Sequence, residues 1–184
     1  VKINATKLKT LAEQANATPD QLAGALPRAT QRRKEADEAA KKVRNWMNGK
    51  NHPAAKPAEI AALAQALGVE PKAISSYCCT YRFARSSPRK ARLLADLIRG
   101  KSANEAVDLL RFNTKRAAIM VNKALSAAMQ AATENNASSD RLIVTETKVD
   151  DSIRIKRFQP KDRGRAHPII KRTCHITVAV EEKA

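Results

Sequence analysis

Near Ser75 and Ser76 the hydrophobic pattern changes period, so two different kinds of fold must lie on either side. Upstream, the chain is Ala-rich, spaces its apolar residues for helices, and has no convincing alternating run. Downstream, Tyr77, Cys79, Tyr81 and Phe83 alternate with Cys78, Thr80 and Arg82, the period-two signature of a half-buried strand. At 184 residues there is room for two small domains. The expected division is an all-α domain over 1–75 and an α+β domain over 76–184.

In the second part, Ser87 reads as an N-cap with Pro88 at the first helical position. Leu93, Leu94, Leu97 and Ile98 then form one apolar face before Gly100 ends the helix. Ser102 and Glu105 have capping-box spacing ahead of a short helix burying Val107, Leu109 and Leu110. A third helix runs from about Thr114, with Ala118, Val121, Leu125, Ala128 and Ala132 inward, until Asn135, Asn136 and Ser138 interrupt it. Leu142–Val149 and Ser152–Phe158 are β-rich, and Thr173–Val180 reads as the return strand. The polar stretch Gln159–Pro168 between them reads as a hairpin tip, with the extended hairpin spanning about 152–180. Asp150 and Asp151 are expected at a turn.

Charge decides the class of partner. The chain carries 35 Lys+Arg against 18 Asp+Glu, a formal +17, with 13 basic and 7 acidic side chains in residues 1–75 and 22 and 11 in the remainder. A polyanion is the implied partner. Membrane binding would want an amphipathic helix with aromatic anchors, but aromatic residues are 3% of the chain, so nucleic acid is preferred. Arg154, Lys156, Arg157, Lys161, Arg163, Arg165, Lys171 and Arg172 face one acid, Asp162, within the hairpin. Such a density is tolerable among phosphates, whose displaced counterions favour binding. Arg82, Arg85, Arg89, Lys90, Arg92, Lys115 and Arg116 extend the expected RNA contacts to the helices, with Arg85 and Arg89 flanking a helix N-terminus. These contacts pin backbone rather than read bases.

The run Ala84-Arg85-Ser86-Ser87-Pro88-Arg89-Lys90-Ala91-Arg92-Leu93-Leu94-Ala95-Asp96-Leu97-Ile98-Arg99-Gly100-Lys101 resembles the opening helix of the bacterial large-subunit ribosomal protein L-twenty-two family. Lys156-Arg157, Gly164-Arg165-Ala166, Ile170-Lys171-Arg172 and His175-Ile176-Thr177-Val178 follow in that family's order, so the resemblance covers about 76–184. It implies a three-stranded antiparallel sheet with three helices, and a hairpin inserted through large-subunit ribosomal RNA to the wall of the peptide exit tunnel. It also implies neighbouring ribosomal proteins as partners. By the same resemblance Gln159, Pro160, Lys161, Asp162, Arg163, Gly164, Arg165 and Ala166 would line the tunnel, contact nascent polypeptide and approach macrolide sites. Asp162 departs from the family, whose tip is usually neutral or basic there.

Residues 1–75 carry a second resemblance. Leu8, Leu11, Leu22, Ala23, Leu26, Val43, Trp46, Gly49, Pro53, Ile60, Ala64, Leu67, Gly68, Val69 and Ile74 are patterned as in a repressor-type helix-turn-helix domain, most clearly over Trp46–Pro53. Thr18 would cap its second helix and Gly68 end the last long one. The interval from Leu26 to Trp46 is longer than in that family, and Glu35, Asp37 and Glu38 open the helix that would meet phosphates. The expected task is therefore docking on the ribosome through Arg28, Arg32, Arg33, Lys41, Lys42 and Arg44. The alternative for this part is a sequence-specific DNA-binding regulator module.

An enzyme is not expected. His52, His167 and His175 are scattered, there is no phosphate-cradling Gly loop, and no acidic pair sits in an apolar setting. No metal, cofactor or small-molecule substrate is implied. Cys78, Cys79 and Cys174 form no ligand or disulfide spacing and are expected to be reduced. With no apolar run of membrane-spanning length, the chain is expected to be soluble and cytoplasmic, on the ribosome.

Overall fold

The computed structural model describes residues 1–27 and 33–183, apart from the side chains of Arg33, Lys34 and Glu35. They form two compact units, Val1–Tyr77 and Cys78–Lys183.

The first unit contains β1 (Lys2–Ile3), α1 (Ala5–Gln14), α2 (Pro19–Gly24), α3 (Arg33–Met47), α4 (Pro57–Ala66), α5 (Pro71–Ile74) and the opening residues of β2 (Ser75–Ala84). Local chemistry sets the helix starts. Asn4 Oδ1 accepts the Thr6 and Lys7 N–H groups at 3.0 and 3.2 Å. Thr18 and Gln21 satisfy one another's backbone donors in a full capping box, with Pro19 behind them. Gly68, at φ +66, takes the left-handed conformation that ends α4. The core gathers Leu8, Leu22, Val43, Trp46, Leu63 and Ile74. The Trp46 indole N–H donates to the Pro53 carbonyl at 2.7 Å, tying the loop after α3 back to that helix. The all-α expectation needs one correction: Lys2 and Ile3 pair antiparallel with Ser76 and Ser75. Two residues are too short a run for periodicity to reveal. The expected boundary between Ser75 and Ser76 falls inside this pairing.

The second unit continues β2 and adds α6 (Pro88–Ile98), α7 (Ala103–Arg111), α8 (Arg116–Glu134), β3 (Leu142–Asp151), β4 (Ile155–Pro160), β5 (Ala166–Lys171) and β6 (Cys174–Glu182). Within the second unit β2, β6 and β3 follow one another in that order in the main sheet. The helices α6 and α8 pack against it. On α8 the buried face is Ala117, Ala118, Val121, Ala124, Leu125, Ala128 and Ala132, mostly small residues that let the backbone approach β6 closely. This includes every inward residue the spacing predicted.

Other elements depart from the sequence reading for definable reasons. On α6 the buried stripe is Ala91, Leu94, Ala95 and Ile98, while Leu93 is 58% exposed and Leu97 also faces outward. Alanines complete the i, i+3, i+4, i+7 pattern, which rotates the inner face away from the larger leucines. On α7, Ala103, Ala106 and Leu110 are buried, whereas Val107 and Leu109 are only half-buried. Half of the expected capping box forms there: Ser102 Oγ accepts the Glu105 N–H, but the Glu105 carboxylate takes Lys101 Nζ at 2.8 Å. Asp150 and Asp151 are not at a turn; they pair with His175 and Cys174 in the β3–β6 ladder. β6 therefore returns against β3, and the arm is a separate ladder of β4 with β5, running from Ile155↔Lys171 to Pro160↔Ala166. Gln159, Pro160, Ala166, His167 and Pro168 belong to that ladder, which shrinks the tip to the residues between Pro160 and Ala166.

Polar ties hold the helices to the sheet edge. Arg99 reaches the Thr147 hydroxyl and carbonyl at 3.0 and 2.8 Å, and that buried hydroxyl donates to the Ala95 carbonyl at 3.1 Å. The turn after α6 covers part of β3: Gly100 N–H donates to the Val144 carbonyl, and Val144 N–H to that of Lys101. A register shift between Val144 and Glu146 accompanies this second set of partners.

Candidate nucleic-acid interface

The helix starts in the second unit are not equivalent. α7 opens as a stable helix should, with the Ser102 cap and an acid, Glu105, in its first turn. α6 and α8 open with no side-chain cap hydrogen bond and no acid in the first turn. Cations stand there instead: Arg89 and Lys90 follow Pro88, and Lys115 and Arg116 straddle the start of α8. Each opposes the positive end of the helix dipole and its unpaired N–H groups, an arrangement that is unfavourable without an anion.

The fold brings the two starts together. Arg85, Ser86, Ser87, Lys90, Lys115 and Arg116 line a cleft of about 520 Å³. Arg85, Lys90, Lys115 and Arg116 are all exposed, and no acid pairs with any of them among the described residues. Two sets of free backbone donors and four cations thus face one opening, which suits phosphate oxygens. Sequence spacing had placed these residues on separate helices; the contact between α6 and α8 makes them one site.

The remaining predicted residues fall into other settings. Arg89 is exposed beside the cleft. Arg92 binds the Val149 carbonyl through Nε and Nη2, both at 3.3 Å, and Asp151 at 3.0 Å, which makes it a strut between α6 and β3. Arg82 lies on the sheet, beside Phe83 and His175. Arg154, Lys156, Arg157, Lys161, Arg163, Arg165, Lys171 and Arg172 are exposed along the arm.

At the arm's tip, Arg163 and Gly164 both have positive φ, at +55° and +71°, and Arg165 N–H donates to the Asp162 carbonyl at 3.2 Å. Two consecutive positive-φ residues are what a type I′ hairpin turn requires. At the base, Ser152 N–H donates to the Thr173 carbonyl at 3.1 Å. Cross-strand partners share a face, so Phe158, Pro168 and Ile170 lie together on one side of the ribbon. Phe158 is 77% exposed. The charge of this segment in the sequence did not single out Phe158, which shares its face with Lys156.

In the first unit, Lys42 pairs with Glu59 at 3.6 Å and Arg44 with Asp20 at 2.9 Å, while Lys41 is exposed. Arg28 and Arg32, and the side chains of Arg33 and Glu35, lie outside the described residues. Asp37 and Glu38 on α3 are exposed. Cys78 and Cys79 are half-buried and Cys174 is buried, all as free thiols. Burial pushes the Cys79 thiol up, helped by Cys78. Burial also raises Cys174, with the Asp151 carboxylate adding to the effect and the Arg92 guanidinium opposing it. Among the described residues no cluster of His, Cys, Asp or Glu could hold a metal ion, and no helix is long and apolar enough to cross a membrane.

Comparison with known proteins gives the class first: this is a ribosomal protein, from a class that is generally non-enzymatic. The family model described as Ribosomal protein L22p/L17e matches residues 79–181, and the chain belongs to that family. It is similar to the large ribosomal subunit protein uL22 of Fusobacterium nucleatum subsp. nucleatum, with 50% identity over 103 residues, 55% of this chain and 93% of the relative. Membership makes it cytoplasmic and ribosome-associated. The family match begins beyond the first unit.

Proposed function

We propose that the second unit is a structural constituent of the large ribosomal subunit that binds its ribosomal RNA, supports assembly and sends the β4–β5 arm to the wall of the peptide exit tunnel. The observation that carries the RNA reading is the cleft between α6 and α8. Four cations without an acid partner among the described residues line it, three of them at helix starts where they oppose the dipole, and a phosphate backbone converts that opposition into attraction. The arm supports the same reading. A two-stranded ribbon is at best marginally stable alone in water, and this one exposes Phe158 and Ile170 among a dense row of cations. A surface of phosphates and base faces satisfies both features. In this reading the turn around Asp162 and Arg163 meets nascent polypeptide, and neighbouring ribosomal proteins cover the remaining surfaces.

For residues 1–75 we propose a fold of repressor helix-turn-helix type put to docking. Leu8, Leu22, Val43, Trp46, Ile60, Ala64 and Ile74, all part of that resemblance, make up most of its core. The ion pairs of Lys42 and Arg44 leave Lys41 as the free cation among the described members of the predicted docking set. The exposed carboxylates of Asp37 and Glu38 weigh against a role for α3 on duplex phosphates, and so against the DNA-binding regulator.

In-cell ultraviolet crosslinking tests the assignment. Crosslinks from peptides around Arg85 and Arg157 to a few large-subunit ribosomal RNA positions are expected. Crosslinks to chromosomal duplex through residues 1–75 would replace this reading with the regulator.

A further inference from the structure

A second concavity, of about 310 Å³, opens on the sheet and not between the helices. Along β6, buried Ile176 and Val178 alternate with half-buried His175 and Thr177, so the latter two share the face turned away from the core. With Thr80, Arg82, Phe83 and Asp150 they line this pocket.

Phe83 is the unusual member. Strand alternation would turn its ring inward, yet its φ is +55° and the side chain is 55% exposed. A left-handed conformation is strained in a bulky aromatic residue and persists only where surroundings enforce it. Here they do. The Phe83 N–H donates to His175 Nδ1 at 3.2 Å, and the two rings meet edge to face with centroids 4.9 Å apart. Because Nδ1 accepts, the neutral imidazole carries its proton on Nε2. The Thr80 and Thr177 hydroxyls occupy one another at 3.0 Å. Asp150 Oδ2 touches Lys148 at 3.4 Å, which leaves Oδ1 to accept from elsewhere.

The pocket therefore offers an aromatic face, a fixed N–H donor, a carboxylate acceptor and a guanidinium at its side. We propose that it takes one unpaired nucleotide of RNA, its base stacked on Phe83 and hydrogen-bonded to His175 and Asp150, with a phosphate beside Arg82. The volume lies at the lower end of small-molecule pockets, about 300–1,000 Å³, which suits a single base. Charge and continuity favour RNA over a protein side chain: Arg82 and Phe83 run through Ala84 directly into Arg85 of the phosphate cleft. The inference rests on the RNA reading above.

The test uses the full chain with Phe83→Trp, a stacking reporter whose only background is Trp46, buried in the first unit. It is titrated with a short unstructured oligoribonucleotide and with a ribose-phosphate oligomer of equal length lacking bases. Quenching by the first and not the second is expected. Phe83→Ala should weaken binding of the base-bearing oligomer about tenfold, with its salt dependence unchanged, because stacking releases no counterions. If Phe83→Trp stays unquenched while both oligomers bind, the pocket is no base site although the RNA reading stands. If the chain binds neither oligomer nor ribosomal RNA, both readings fall. A Phe83→Ala protein that keeps its ribosomal RNA crosslinks but loses a neighbouring protein from the subunit would give the pocket to that protein and overturn the proposal.

Discussion

Replacing Arg85, Lys90, Lys115 and Arg116 together by Gln separates the two parts a charge can play at a helix start. For folding, three of the four sit in or next to a first turn, on the wrong end of the dipole, with no acid to offset them. All are exposed, so the lower end of the usual range applies, about 0.3 kcal/mol each. Their removal should stabilise the chain by roughly 1 kcal/mol, a rise in Tm of about 2–4 °C at this size. For binding, each lost phosphate contact removes about 0.7–0.9 from the slope of log K against log salt, so the four together should flatten it by about 3. Differential scanning calorimetry and filter binding to large-subunit ribosomal RNA across a salt series read the two effects on one preparation. A variant that melts higher and binds with a flatter slope bears out the cleft. A fall in Tm with an unchanged slope would refute the reasoning, since it would mean that the cations hold the fold together.

Neutralising Lys156, Arg157, Arg163 and Arg165 should likewise weaken RNA binding and flatten its slope by about 0.7 per lost contact, in the same filter assay. Deleting residues 1–74 should leave incorporation into large subunits intact, because the core of α6–α8 and β3–β6 lies within the second unit; sedimentation of tagged particles checks it. Leu125→Ala should destabilise the second unit by about 2–5 kcal/mol, as truncations of fully buried leucine do, read by chemical denaturation. Cys174 should resist alkylation in the native state while Cys78 and Cys79 label. Its raised folded value means that the contribution of the neutral thiol is full below the ordinary thiol range and is lost as pH climbs through the raised value, so native labelling should accelerate only on the alkaline side.

What the sequence disclosed follows from what its patterns record. The starts of α6 and α2 were legible because a proline follows the N-cap position in Ser87-Pro88 and Thr18-Pro19, although only Thr18 makes a side-chain cap bond, and α8 because its small inward residues recur at helical spacing. Periodicity failed where alanine does the packing: Leu93 and Leu97 outweighed Ala91 and Ala95 in the reading, and the fold chose the alanines. It failed at Phe83, where one positive φ reverses the alternation, and at Lys2–Ile3, whose partner is more than 70 residues away. The cations were visible as residues, yet their convergence was not. That Arg85, Lys90, Lys115 and Arg116 share a cleft while Arg92 spends its guanidinium on Val149 and Asp151 depends on how α6 meets α8 and β3, which no local pattern encodes.

The β4–β5 ribbon has a further consequence for the life of the chain before assembly. Each of its strands pairs with the other and with nothing else among the described residues, so both outer edges present open backbone donors and acceptors. Open edges next to exposed Phe158 and Ile170 are a template for adding another strand, including that of a second copy. Its cations, spaced along both strands, act as gatekeepers: two arms that approach edge to edge repel before their backbones can bond. The guard depends on ionic strength, since it reaches about 10 Å at 0.1 M salt and about 3 Å at 1 M. A stock of free protein kept in high salt to hold it off nucleic acid would therefore lose its protection against self-association under the same conditions.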